Sequence, residues 1–262
     1  MKENHLYSVE SLYKIGSGPS SSHTIGPYRA LKSFIGRLKA DNIPFDFIRI
    51  SLYGSLALTG IGHRIDRILY RGLGDIRGDL IFDTKTKHAH PNTMYIEAFH
   101  HNKSVRRYQY VSIGGGDLEG DDEYVKTQAV YPFSTFSEMT DYMVENHYRS
   151  IPEMVKATER EKLDKYLDVV IDTMLNTIET GLAMDGNLIN IDGLNVSRRA
   201  KKLFDEAMSN ELSDQVEDDI LASYAMAMNE QSVIGDLIVT APTCGSCGII
   251  ASLVAYGILN KG

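Results

Sequence analysis

The apolar residues of this chain change period partway along it, and that change demands two kinds of structure in one polypeptide. Before Pro132 several short segments alternate with period two, whereas from Phe136 to Ile258 the pattern is almost entirely helical. In the run 45–53, FDFIRISLY, Ile48, Ile50 and Leu52 fall on one face and Phe45, Phe47, Arg49, Ser51 and Tyr53 on the other, as in a strand with one apolar side. Further strands are expected at 79–83, 94–99, 105–113 and 124–130, with helices at 8–15, 28–40 and 64–73. In the second half, Leu167, Val170, Ile171, Met174, Leu175 and Ile178 form a stripe along a helix at 164–181. Other helices are expected at 197–208, at 217–230 and from near Cys244. The fold class that follows is an α+β domain with a mixed sheet and flanking helices, residues 1–140, then an all-α segment, residues 141–262.

Charge and composition narrow the functions open to such a chain. The formal net charge is −8, and no basic face suited to a nucleic acid is visible. No apolar run reaches the roughly 18 residues of a membrane span. The opening MKENHLYSVESLYKIG lacks the continuous apolar core of a secretory leader. The two cysteines, Cys244 and Cys247, do not make a disulfide scaffold. A cytoplasmic protein is expected.

Four stretches carry candidate chemistry. The first is residues 16–24, GSGPSSSHT, standing ahead of a helix. Glycines let the backbone approach a small ligand, and hydroxyls with helix-start N–H groups suit a carboxylate. An N-cap role accounts for any one of Ser20, Ser21, Ser22 or Thr24. It does not account for the whole cluster with His23 in its midst. The second, residues 53–63, YGSLALTGIGH, is a glycine-rich turn from strand to helix that ends on His63. The third, residues 88–92, HAHPN, spaces His88 and His90 so that both can lie on one side of an extended chain, although taken alone it reads as a plain polar loop. The neighbouring His100-His101 pair reads as surface. The fourth, residues 239–248, VTAPTCGSCG, opens an apolar helix, with the hydroxyls of Thr243 and Ser246 available to an anion. Its CxxC admits a redox or metal reading, but two cysteines cannot complete a tetrahedral zinc site. Close packing of small residues also explains Cys247.

In their order these segments resemble the iron–sulfur L-serine dehydratases (L-serine ammonia-lyases). KIGSGPSSSHTIGP is similar to that family's opening signature. YGSLALTGIGH, HPN followed by Met94, YVSIGGG and Tyr131-Pro132-Phe133 are similar to its next landmarks, and MAMNEQSVIGDLIVTAPTCGSCGII to the start of its catalytic domain. Departures are Thr93 after HPN, the altered segment Gly193–Ala200, and Ala251-Ser252 where a proline is usual.

The resemblance implies β-elimination of L-serine to pyruvate and ammonia, a lyase reaction of amino-acid metabolism and gluconeogenesis. It implies a [4Fe–4S] cluster that acts as Lewis acid on the serine hydroxyl, with its ligands outside this chain, since Cys244 and Cys247 do not match them. It also implies an allosteric-substrate-binding-like first domain. His23, His63 and His90 are the implied catalytic residues, their individual roles left open. Ser20, Ser21, Ser22, Thr24, Thr243 and Gly245 are the implied substrate contacts, and no metal ligand is expected here. On this reading residues 141–262 hold only the beginning of the catalytic domain. The chain is then inactive without a C-terminal catalytic part or alpha subunit, with which it forms a homo- or hetero-oligomer. The alternative is a non-catalytic serine-binding regulatory subunit or sensor.

Overall fold

The computed structural model describes residues 6–122, 129–191, 194–209 and 215–261. A five-stranded mixed sheet of order β3-β2-β4-β5-β6 forms the first half. Its strands are β2 (Phe47–Tyr53), β3 (Gly78–Asp83), β4 (Thr93–His100), β5 (Lys103–Gly114) and β6 (Asp117–Gly120). The β2–β3 pair is parallel and the other pairs are antiparallel. A parallel pair needs a crossover, which α2 (Gly54–Leu58) and α3 (Ile65–Leu73) provide. Alternation in β2 resolves as expected: Ile48, Ile50 and Leu52 are fully buried and the residues between them half-buried. They share a core with Ala30, Leu31, Phe34 and Leu38 of α1 (Gly26–Ala40) and Leu69 of α3.

At the edge of this core Tyr110 donates a hydrogen bond to Asp122 Oδ2 at 3.0 Å, and Ser33 donates to the same oxygen at 2.6 Å. Burial, then the neighbouring Asp122, pushes the Tyr110 phenol far above its ordinary range. Loss of a donor to a buried carboxylate costs about 1–3 kcal/mol. Tyr110→Phe should therefore lower the unfolding free energy by an amount in that range, read as a lower urea midpoint at an unchanged denaturant slope.

The second half is helical. It contains α4 (Phe136–Glu145), α5 (Ile151–Ala183), α6 (Ala200–Ser209), α7 (Val216–Ile234) and α8 (Cys247–Tyr256). Thr135 and Glu138 make a capping box at the start of α4, which fixes that boundary. Arg160, with φ 57°, breaks α5 into two helices. The expected stripe is present: Val170, Met174 and Ile178 are buried against Tyr224, Ala227 and Met228 of α7 and Cys247 and Ala251 of α8. Among the described residues no helix is long and apolar enough to cross a membrane.

Several elements differ from expectation for tertiary reasons. The expected helix at 8–15 is a single 3-10 turn, Val9–Ser11, because Ile15–Ser17 is drawn out as β1 to pair antiparallel with β9 (Leu237–Val239). The helical segment also holds a hairpin of β7 (Asn187–Ile191) and β8 (Leu194–Ser197). The last long helix starts at Cys247, leaving Cys244 in the turn before it. Most of the strand expected at 124–130 lies outside the described residues.

The β1–β9 pair fastens the chain's opening to its far end. Gly18 donates its N–H to Asp236 O at 3.1 Å. A Cβ on Gly18 would lie 2.2 Å from Ser232 O, so only glycine fits this approach.

Candidate active site

The site begins at the start of α1. Residues Ser21–Ile25 form one wide π-turn, and Ser20 caps it by accepting from His23 N at 3.1 Å. Helix-start N–H groups lack intrahelical partners, so a serine here is both structural and chemically useful. The turn aims the buried His23 ring at α2. There His23 Nε2 lies 3.0 Å from Ser55 Oγ, while Nδ1 lies 2.9 Å from Ser22 Oγ. His63 stacks on His23 with ring centroids 4.6 Å apart and planes 29° apart.

His63 Nδ1 lies 2.9 Å from Thr59 O. A carbonyl only accepts, so Nδ1 carries the proton and the neutral ring keeps its Nε2 lone pair. Burial lowers the His23 pKa from its ordinary value, the adjacent His63 lowers it further, and the Ser55 contact partly offsets both. Because the folded value lies below the unfolded one, the associated stability is present above about pH 6.5 and is lost as pH falls through the folded value. A pH series of thermal midpoints should therefore decline below that point, with a smaller decline in His23→Gln.

The loop carrying His90 docks onto the same turn. Ser55 donates its N–H to Pro91 O at 2.7 Å. Gly54 has φ +52°, and a Cβ there would lie 2.5 Å from Pro91 O. His90 Nδ1 accepts from Asn92 N at 3.0 Å, which leaves the proton of the neutral ring on Nε2. His88 does not join it. Its ring packs on Tyr53 at 4.3 Å and Tyr95 at 5.6 Å, so the two histidines have separate surroundings.

The expected hydroxyls divide. Ser20 and Ser22 stand around His23, with their Oγ atoms 3.4 Å apart. Ser21 is buried. Thr24 is fully buried, its hydroxyl donating to Ser17 O and Ser20 O, so it holds the turn together. Thr243 and Gly245 lie exposed in the loop before α8, where Thr243 Oγ1 is 3.0 Å from Ser246 Oγ. Among the described residues no hydrogen bond or ring contact joins them to His23 or His63.

Two contributors were not singled out from the sequence. Ser55 is anonymous within its glycine-rich turn. Arg64 follows His63 with a left-handed backbone, φ 61°, and its buried guanidinium donates to Ile234 O at 2.6 Å. The second histidine is thereby pinned to the end of α7.

Cys244 and Cys247 are buried, and desolvation pushes their thiols up to about 12 and about 11. Clusters are held by thiolates. A [4Fe–4S] cluster takes up to four such thiolates, so these two cysteines do not by themselves fit one. They are equally unsuited to thiol redox chemistry, which needs an accessible thiolate. A thiol reagent at pH 8 should leave both unlabelled in the native chain and label both in denaturant.

Comparison with known proteins places these residues. Residues 8–80 match the family "Serine dehydratase beta chain" and residues 92–261 match "Serine dehydratase alpha chain". The chain is 32% identical to L-serine dehydratase 2 of Escherichia coli (strain K12), over 96% of this chain and 66% of that protein. It is 31% identical to the L-serine dehydratase of Haemophilus influenzae, with the same coverages. The corresponding enzyme of Helicobacter pylori (strain J99) is 29% identical, over 95% and 65%. The chain thus spans just under two thirds of the length of these curated relatives. The expectation that it holds only the opening of the alpha part is corrected, because that match begins at residue 92 and includes β4, β5 and β6. His23 and His63 fall in the first match and His90 between the two. With the alpha-chain match covering more than half of its residues, the chain belongs to the serine dehydratase family.

Proposed function

We propose that the chain supplies the proton-handling and substrate-gripping part of an L-serine dehydratase. The observation that carries this reading is the His63–His23–Ser55 contact, assembled from two distant segments with the His90 loop docked beside it. His63 Nε2, with its lone pair unengaged by the Thr59 bond, accepts the Cα proton. His23 holds His63 by stacking and holds Ser55 and Ser22 by hydrogen bonds. His90, protonated on Nε2, is the donor on the other side. Loss of the Cα proton and of hydroxide from Cβ gives aminoacrylate, which tautomerises and takes up water to yield pyruvate and ammonia. Ser20 and Ser22 at the helix start receive the substrate carboxylate, where N–H groups and the helix dipole favour an anion. Ser21 and Thr24 shape that turn, and Thr243 and Gly245 close on the substrate from the α8 side.

The [4Fe–4S] cluster belongs, on this reading, to the part of the relatives beyond the matched stretch. That part, or an alpha subunit, packs on α8, where Ile249 and Leu253 are exposed one turn apart. Two separate cores support a domain division near residue 140, one gathering residues 30–118 and another Ile25 with residues 170–255. A cytoplasmic location suits the free buried thiols.

The test is anaerobic release of pyruvate and ammonia from L-serine, by the chain alone and combined with the remaining third of a relative. Equimolar products support the reading. Saturable L-serine binding without turnover in either sample favours the regulatory alternative, and neither binding nor turnover overturns both.

A further inference from the structure

We infer that Asp46, His100 and His101 form a binding site for one divalent transition cation of the zinc class. It lies at the end of the sheet remote from the histidine pair. β4 runs from Thr93, beside the His90 loop, to His100, and seven steps of extended chain amount to about 23 Å.

Three features build the site. Asp46 precedes β2 and is fixed by its own N–H, which donates to Phe99 O at 2.9 Å. His100 ends β4 and pairs with Lys103 across a two-residue turn, His101-Asn102, whose φ values are 49° and 61°. Consecutive side chains of a strand point to opposite faces. The left-handed turn undoes that alternation and brings the His101 ring back beside its neighbour, with centroids 4.0 Å apart. His101 N donates to Asp46 Oδ2 at 2.9 Å, which holds the carboxylate against the turn.

The donor atoms are already close to coordination spacing. His100 Nδ1 lies 3.5 Å and His101 Nδ1 3.8 Å from Asp46 Oδ2, and all three ligand atoms lie within 4.8 Å of one another. Around tetrahedral zinc, with bonds of about 2.0–2.1 Å, neighbouring donors stand about 3.3 Å apart. Independently, His100 Nδ1 is shut off from solvent and has no hydrogen-bond partner. An orphaned ring nitrogen aimed at a carboxylate is relieved when an ion takes its lone pair. Two imidazoles and one carboxylate select zinc, nickel or copper over magnesium or calcium, which prefer all-oxygen sites. The ion would tie the entry to β2 to the β4–β5 turn.

The experiment uses the full chain stripped with chelator, titrated with Zn²⁺ by calorimetry and with Co²⁺ by absorption. The expected result is one ion per chain, a raised thermal midpoint and a cobalt spectrum free of thiolate-to-metal charge transfer. Asp46→Asn retains the acceptor for His101 N, and His101→Asn retains a residue that tolerates the left-handed turn. Each should weaken binding at least about tenfold, as disturbance of a metal's ligand set does. Absence of saturable binding, a thiolate band, or unchanged affinity in both variants would overturn the inference. None of these outcomes bears on turnover of L-serine.

Discussion

In the complemented dehydratase proposed above, His63→Ala should lower turnover of L-serine by about 10²- to 10⁴-fold, the range that a positioned proton acceptor contributes. The size follows from what the ring does here. Its Nδ1–H is committed to Thr59 O, and the rest of the ring lies over His23. Alanine removes the acceptor and also the support that keeps His23 in line with Ser55. His23→Gln should be less severe, because an amide can still bond Ser55 or Ser22. The two changes act on one unit, so the double variant should be little worse than His63→Ala. Initial rates at saturating L-serine, with the folded fraction checked by circular dichroism, decide the point. Additive losses would mean that the rings work separately.

Glu230→Ala should cost about 3–5 kcal/mol of folding stability, the usual consequence of leaving one partner of a buried ion pair alone. Glu230 is 7% exposed and Arg198 9%, and the guanidinium Nη1 lies 3.4 Å from Glu230 Oε2. The other carboxylate oxygen accepts from Arg199 N at 2.6 Å, just before α6, and from Ala200 N at 3.2 Å, its first residue. Arg198 also donates to Gln231 Oε1 at 3.1 Å, and Gln231 Nε2 donates to Asp236 Oδ2 at 2.7 Å. Alanine therefore strips the cap from α6 and strands a buried cation at once. Glu230→Gln, which keeps an acceptor for α6 but not the charge, should lose about half as much, still within the range for charged hydrogen bonds. Urea melts with a shared denaturant slope measure both. A loss below 1 kcal/mol for the alanine variant would show that water reaches Arg198 in its place.

Much of this was legible from residues alone, and the exceptions have a common cause. Ile48, Ile50 and Leu52 announced β2 because burial on one face forces strict alternation. The Ser-Ser-Ser-His run stands out because so many hydroxyls exceed what capping needs, and His23 does meet His63 there. Long-range pairing left no such trace. Ile15-Gly16-Ser17 has too few residues to show a period, and it is a strand only because β9 lies alongside. Arg64 opens the helix expected at 64–73, yet its partner is a carbonyl 170 residues away. Glu230 ends the helix expected at 217–230, and nothing in the run Asn229-Glu230-Gln231 shows that its partners are Arg198 and the start of α6. His88 and His90 were paired by spacing and are parted by the turn between them, which sends one ring to Tyr53 and the other to Asn92.

The most direct measurement is histidine side-chain NMR of the chain during titration with L-serine. The histidine site predicts saturable shifts of His23 and His63, with a smaller shift of His90 and none at His147 or at the His100–His101 turn. Shifts confined to His100 and His101, or unmoved His23 and His63 signals while serine binds elsewhere, would contradict it.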